Sequence, residues 1–189
     1  MGKLIYSLNT SLDGYVEDAN GSLDWSIPDE EIHQFFNDQE QEFDVSLYGR
    51  RLYEIMHPHW STAEENPDAT PVEKEYSRTW KAIPKIVFSR TLDHVEGNAT
   101  LMRDGLIEEA TKLKSQPDKL ISVAGASLAS SLIEAGLVDE FRLVIHPVIL
   151  GGGKPFFPNL KAPTNLTLLE THRFSSGAMY LRYARVGSV

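Results

Sequence analysis

Three short stretches put phosphate-seeking residues directly after apolar, β-forming runs. In Tyr48-Gly49-Arg50-Arg51 a glycine is followed by two guanidiniums, and in Phe88-Ser89-Arg90-Thr91 a serine, an arginine and a threonine close the run. In the third, Leu120-Ile121-Ser122-Val123 gives way to Ala124-Gly125-Ala126-Ser127-Leu128 and a helical pattern. Small residues at such a junction let an anion approach the backbone. The helix that follows offers unpaired N–H groups and a partial positive charge. Arginine adds a bidentate fork suited to a phosphate. Taken alone, the Ala124–Leu128 turn reads better as a tight connection, because it lacks both G-x-G-x-x-G and G-K-[ST]. Arg50 or Arg51 alone reads better as a surface ion pair. Three such ends in one chain suggest a phosphorylated dinucleotide lying across the edge of a sheet. Arg90 with Ser89 suits a 2′-phosphate, so NADP(H) is expected rather than NAD. His57-Pro58-His59 is a poor zinc site without a neighbouring carboxylate or thiolate, so no metal is expected.

The elements that must position these residues follow from periodicity. Lys3–Leu8, Phe43–Tyr48, Lys85–Ser89, Asn98–Met102 and Leu120–Val123 read as strands, and most of the gaps between them read as helix. Helices are expected over residues 29–43, 50–56 and 127–135. Another opens at the Thr70-Pro71-Val72-Glu73 capping box, and Asp104 is expected to cap a further one. Thr10–Pro28 and His57–Ala69 read as loops. After Gly136 the pattern changes, and Phe141–Leu150, Leu166–Phe174 and Met179–Val186 are strands with no helices between them. Strands separated by helices pair in parallel, and consecutive strands pair antiparallel. The expected fold is α/β, one domain over 1–189, with a mixed, mainly parallel sheet of about eight strands, flanking helices and a C-terminal antiparallel edge.

The chain has 189 residues, no cysteine and a net charge of −9. The absence of cysteine excludes disulfides and thiolate catalysis. The acidic balance argues against a nucleic-acid or anionic-membrane partner. No apolar run is long enough for a bilayer, and Met1–Tyr6 lacks a secretory pattern, so a cytoplasmic protein is expected. A homodimer is expected from the late strands and the apolar Pro155-Phe156-Phe157-Pro158.

The sequence resembles the dihydrofolate reductase superfamily, and within it the C-terminal reductase domain of the bifunctional riboflavin-biosynthesis enzyme. The markers are Ser11-Leu12-Asp13-Gly14-Tyr15, Gly49–Glu54, Val87–Arg90, Ala124–Leu128 with Gly136–Glu140, and Pro147–Gly153. The resemblance implies an NADPH-dependent oxidoreductase acting on a small heterocycle, with 5-amino-6-(5-phosphoribosylamino)uracil as the named guess. It places Gly49, Arg50, Arg51, Ser89, Arg90, Gly125, Ala126, Ser127 and Leu128 around the cofactor phosphates. Leu150, Gly151 and Gly152 fall near the nicotinamide. The family pattern differs at Ala124, where it often has a first glycine, and at Leu52, where it commonly has a phosphate-binding Thr. Asp13 is the implied substrate contact, and Thr10 is assigned with the substrate. Trp25 is a stacking surface or lid, or core filling. Trp25–Glu30 is also similar to the stretch of true dihydrofolate reductases in which a buried carboxylate grips the pterin. Glu30 would take that acid's place, or it is only part of an acidic helix start favoured by the dipole. A noncatalytic dimeric binding protein on the same fold is the alternative to turnover, and a dihydrofolate reductase with Glu30 as its acid is a further one.

Overall fold

The structure is a computed structural model that describes residues 1–157, 160 and 163–187. Its elements in chain order are β1 (Lys3–Ser11), β2 (Tyr15–Glu17), a 3-10 turn (Asp24–Ser26), α1 (Glu30–Glu40), β3 (Val45–Gly49), α2 (Arg50–Trp60) and α3 (Pro71–Ala82). There follow β4 (Lys85–Phe88), β5 (Ala99–Met102), α4 (Leu106–Lys114), β6 (Leu120–Ala124), α5 (Ala126–Glu134), β7 (Glu140–His146), β8 (Lys154–Pro155), β9 (Leu166–Arg173) and β10 (Met179–Arg185). One eight-stranded sheet runs β5-β4-β3-β6-β1-β7-β10-β9. Its first six strands are parallel, and β10 joins β7 and β9 antiparallel. β2 and β8 form a separate two-stranded pair.

The two faces of the sheet differ in chemistry. Leu4, Tyr6, Val45, Leu47, Ile121 and Val123 alternate onto one face and pack with Ala110 and Leu113 of α4 and Ala129 and Leu132 of α5. Each fully buried aliphatic or aromatic side chain there contributes about 1.5–3 kcal/mol relative to exposure. The residues between them point the other way, beneath α1, α2 and α3. On that face the register aligns Ile5, Ser122, Ser46 and Lys85 in one row across β1, β6, β3 and β4.

Several expected boundaries shift. β1 continues to Ser11, so Thr10 lies in a strand and not in a loop. The expected loop 10–28 also contains β2 and the 3-10 turn. α2 runs through Pro58 to Trp60, which puts His57-Pro58-His59 in a helix. The His57 ring stacks on Tyr53 at 5.1 Å and His59 meets Trp60 edge-on at 4.4 Å, contacts that hold the last turn around the proline. Gly105, not Asp104, is the N-cap of α4; its φ of 77° is left-handed and inexpensive only for glycine. β7 ends at His146, because Pro147 has no N–H to continue a ladder. The Thr70 box forms as expected, with Thr70 N donating to Glu73 at 2.7 Å. Phe156 is core, stacked on Tyr6 at 4.3 Å, so it cannot supply an exposed dimer face; Pro158 lies outside the described residues.

Candidate functional site

The carboxyl ends of β3 and β6 open into a cavity of about 610 Å³ between the polar sheet face and α1, α2 and α3, within the usual size range for a small-molecule site. Gly49 and Gly125, the N-caps of α2 and α5, border it, and neither helix start has a side-chain cap. Two sets of free backbone N–H groups therefore converge on one opening. Gly125 has a φ of 107°, a conformation any side chain would strain. The Ala124–Gly125 peptide is trans.

Arg50, Arg51, Ala126, Ser127 and Leu128 line the same opening. Arg50 is exposed and pairs with Glu54 at 3.4 Å. Arg51 bonds Glu17 at 2.9 Å and the Gly21 carbonyl at 3.0 Å, so it also fixes the loop after β2. Ser89 and Arg90 border an adjoining cleft, which shares Phe88 and Ser131 with the cavity. The Ser89 hydroxyl is turned inward and accepts from the N–H groups of Thr91 at 3.2 Å and Leu92 at 3.0 Å. The structure thus brings seven of the nine expected phosphate-site residues to one rim and places the other two, Ser89 and Arg90, beside it.

The expected substrate residues are not gathered in the cavity. The Asp13 carboxylate accepts from the Ser11 hydroxyl at 2.7 Å and from the N–H groups of Leu150 at 3.1 Å and Gly151 at 2.8 Å. The Ser11 bond first, with the two backbone bonds behind it, holds its pKa below the ordinary carboxylate value despite some desolvation. Asp13 is a clamp on the loop that carries Leu150, Gly151 and Gly152, and none of these four borders the cavity. Thr10 is buried, and its hydroxyl donates to the Ser11 carbonyl at 3.2 Å. Trp25 sits behind the wall, edge-on to His146 at 5.8 Å, with its indole N–H unpartnered among the described residues. His146 in turn bonds Asn9, which does line the cavity, at 2.9 Å. Burial holds the His146 pKa down, against an upward pull from Asp29. Glu30 is exposed on the first turn of α1 and does not reach the cavity; the buried acid expected at that position is absent there.

Two acids line the cavity: Glu17, which is paired with Arg51, and Glu40, at the other end of α1. Glu40 is half-buried, and among the described residues its carboxyl makes no side-chain hydrogen bond or ion pair. Burial pushes its pKa up to about 7, and Lys85 pulls the other way. Lys85, at 3% exposure, donates to the carbonyls of Trp80 and of Ile83 (2.8 Å) and lies 4.0 Å from the Trp80 ring centre. Burial lowers its pKa to about 8, with Glu40 opposing the shift. The sequence carried one signal for Glu40: it falls four residues after Phe36 and three before Phe43, on one helical face.

Comparison with known proteins fits this geometry. The RibD C-terminal domain family matches residues 2–180. The uncharacterized protein YyaP of Bacillus subtilis (strain 168) is 40% identical over 182 residues, 96% of this chain and 94% of its own. A Shewanella sp. PV-4 protein whose name assigns it provisionally to riboflavin biosynthesis is 23% identical. Its structure superposes with a TM-score of 0.75 over 97% of this chain and 98% of its own. Dihydrofolate reductase from Enterococcus faecalis, solved with NADP(H), gives a TM-score of 0.58 at 16% identity over 97% and 96% of the two chains. The fold is that of dihydrofolate reductase.

Proposed function

This chain belongs to the RibD C-terminal domain family, and on that premise we propose that it is an NADPH-dependent reductase of a small heterocyclic substrate. The observation that carries the reading is the convergence of two uncapped helix N-termini, at Gly49 and Gly125, with Arg50 and Arg51 on one cavity rim. That donor set suits a dinucleotide pyrophosphate. The Arg90 cleft beside it suits a further phosphate. Bound there, NADPH supplies a hydride to an acceptor carbon. The chain's own part is to bind, orient and desolvate. The backbone N–H groups of α2 and α5 hold the phosphates, Leu52 and Leu128 wall the cavity, and Phe36, Phe43 and Trp60 give it an apolar lining. The alternative with Glu30 as the acid loses its basis, because that carboxylate faces solvent. A noncatalytic binding protein would show the same rim without turnover.

Titration of the purified protein with NADPH and NADH, followed by nicotinamide fluorescence, tests the reading. NADPH should bind more tightly than NADH, and Arg90→Ala should remove most of that preference while leaving NADH affinity nearly unchanged. Binding of neither nucleotide would end the reductase reading. A homodimer is part of the proposal. Leu168 and Leu169 on the edge strand β9 are each 50% exposed, and a shared face there would cover them. Light scattering should give twice the monomer mass, reverting to the monomer in Leu168→Asp/Leu169→Asp; a monomeric wild type refutes it.

A further inference from the structure

We propose that the inner end of the cavity is a recognition site for a basic nitrogen, in which an amidine, guanidine or amino-substituted ring nitrogen of the ligand bonds the Glu40 carboxyl. The identification of this ligand as the substrate rests on the reductase reading; the site itself does not.

The cavity wall is cationic where α2 starts and acidic where α1 ends. Arg50 and Arg51 line it at the carboxyl end of β3, Arg51 paired with Glu17, and Glu40 lines it together with Ser122 and Tyr48. Glu40 has no partner in the described residues. On β3 the Ser46 hydroxyl, level with Ser122 in the register, is 1% exposed and unpartnered among the described residues, although it does not itself line the cavity. A half-buried carboxyl that lines a cavity without a partner is open to a donor from any ligand that enters. The groups facing Glu40 do not fill the role. Lys85 of β4 is committed to two carbonyls and a ring face. Tyr48 of β3 accepts from the Trp80 indole at 2.9 Å. Tyr76 of α3 feels Glu40 only through its charge. His33, one helical stretch back on α1, bonds Asn37 at 3.2 Å.

These contacts select the ligand's chemistry. Beside Glu40 a phosphate would meet a carboxylate and, among the described residues, no uncommitted cation, so this part of the wall disfavours anions. A neutral apolar group would leave Glu40 unpaired. A nitrogen cation or a row of N–H donors satisfies it and gains from the sparse solvent. The aromatic walls supplied by Phe36, Phe43, Trp60 and Tyr76 suit a flat ring behind that nitrogen.

Benzamidinium is the probe, with benzyl alcohol and inorganic phosphate as controls. Calorimetric titrations at pH 6 and pH 8, each in two buffers of different ionisation heat, read affinity and proton release together. Wild type should bind benzamidinium more tightly than either control. It should release most of one proton per ligand at pH 6 and almost none at pH 8, because the cation displaces the Glu40 proton. Glu40→Gln should lose about tenfold or more in affinity and lose the proton release. The second loss excludes His33 as its source. Thermal melting of the variant confirms folding. Benzamidinium binding no tighter than benzyl alcohol, unchanged affinity in Glu40→Gln, or phosphate preferred over benzamidinium would each overturn the proposal. NADPH titrated into the same samples separates the two readings. Glu40-dependent benzamidinium binding without NADPH binding would keep this site and end the reductase reading, and the reverse pattern would do the opposite.

Discussion

Replacing Glu40 by Gln should reshape the dependence of stability on pH. In the folded chain burial lifts the Glu40 pKa from 4.5 to about 7. Between those values the folded state holds more protons than the unfolded state, so stability falls as pH rises through the window and is level above it. The difference, 7 − 4.5 = 2.5, sets a ceiling of about 3.4 kcal/mol at about 1.36 kcal/mol per unit. Glu40 is reached by solvent through the cavity, which reduces the expected penalty to on the order of 1–2 kcal/mol. Lys85 acts in the opposite sense at higher pH. Its pKa falls from 10.5 to about 8, so the folded state holds fewer protons across that window and stability rises with pH. The wild type should therefore have a stability trough near pH 7 to 8. In Glu40→Gln the acid-side wall disappears. The rise on the basic side begins at lower pH, because the carboxylate that helps Lys85 keep its proton is gone. Thermal melts from pH 5 to pH 9, followed by tryptophan fluorescence, measure both proteins. The variant should gain on wild type from pH 5 to pH 7, by roughly 2–4 °C in Tm per kcal/mol. Since every other titrating group is common to both proteins, a stability difference that does not change with pH would refute the reasoning.

Two further outcomes follow from close contacts elsewhere. At Gly153 an added Cβ would lie 1.9 Å from the Glu17 carbonyl oxygen, at a φ of 136°. Gly153→Ala should cost about 2 kcal/mol or more and part β2 from β8, seen as a lower Tm and faster proteolysis after Lys154; an unchanged Tm would show that the loop absorbs the clash. Glu140 is 2% exposed and accepts from Arg142 at 2.6 Å and Arg182 at 2.8 Å. Glu140→Gln leaves the buried Arg142 only its 2.9 Å pair with the more exposed Glu42 and should cost about 3 kcal/mol by urea denaturation. A loss no larger than that of Arg182→Gln, at the more exposed arginine, would count against that assignment.

The parallel half of the sheet was legible in the sequence because its strands are continuous apolar runs, each stopped by glycine, serine or a helix start. The rim of the cavity was legible for the same reason: Gly49, Arg50, Gly125 and Ser127 sit where a strand ends, and parallel strands bring their ends together. β2 and β8 were not legible. They have three residues and two, too few to show a period, and they pair because Gly153 lets the two backbones touch. Asp13 was legible as a residue in a turn but not as a clamp, because its partners Leu150 and Gly151 are 137 and 138 residues away.

Glu40 was hidden by its neighbours. Gln39-Glu40-Gln41-Glu42 reads as a solvated helix end, and only the placement of α1 over the sheet turns one of its acids inward. A subtler trace was present in the strands. In a sheet covered by helices on both sides, each strand normally reads as an unbroken apolar run. Here β1, β3 and β6 alternate, with Leu4, Tyr6, Leu47, Ile121 and Val123 facing one way and Ser7, Asn9, Ser46 and Ser122 facing the other. That pattern ordinarily means that one face is open to water. Yet α1, α2 and α3 cover the polar face, and the helices stand off far enough to leave the cavity. A polar sheet face that is covered but not filled forgoes the apolar packing that valines would give there, and leaves the Ser46 hydroxyl buried without a partner among the described residues. That loss is recovered when a ligand supplies the missing donors, so the placement of serines and a glutamate where a core would take valine is itself the strongest argument that this cavity binds something polar.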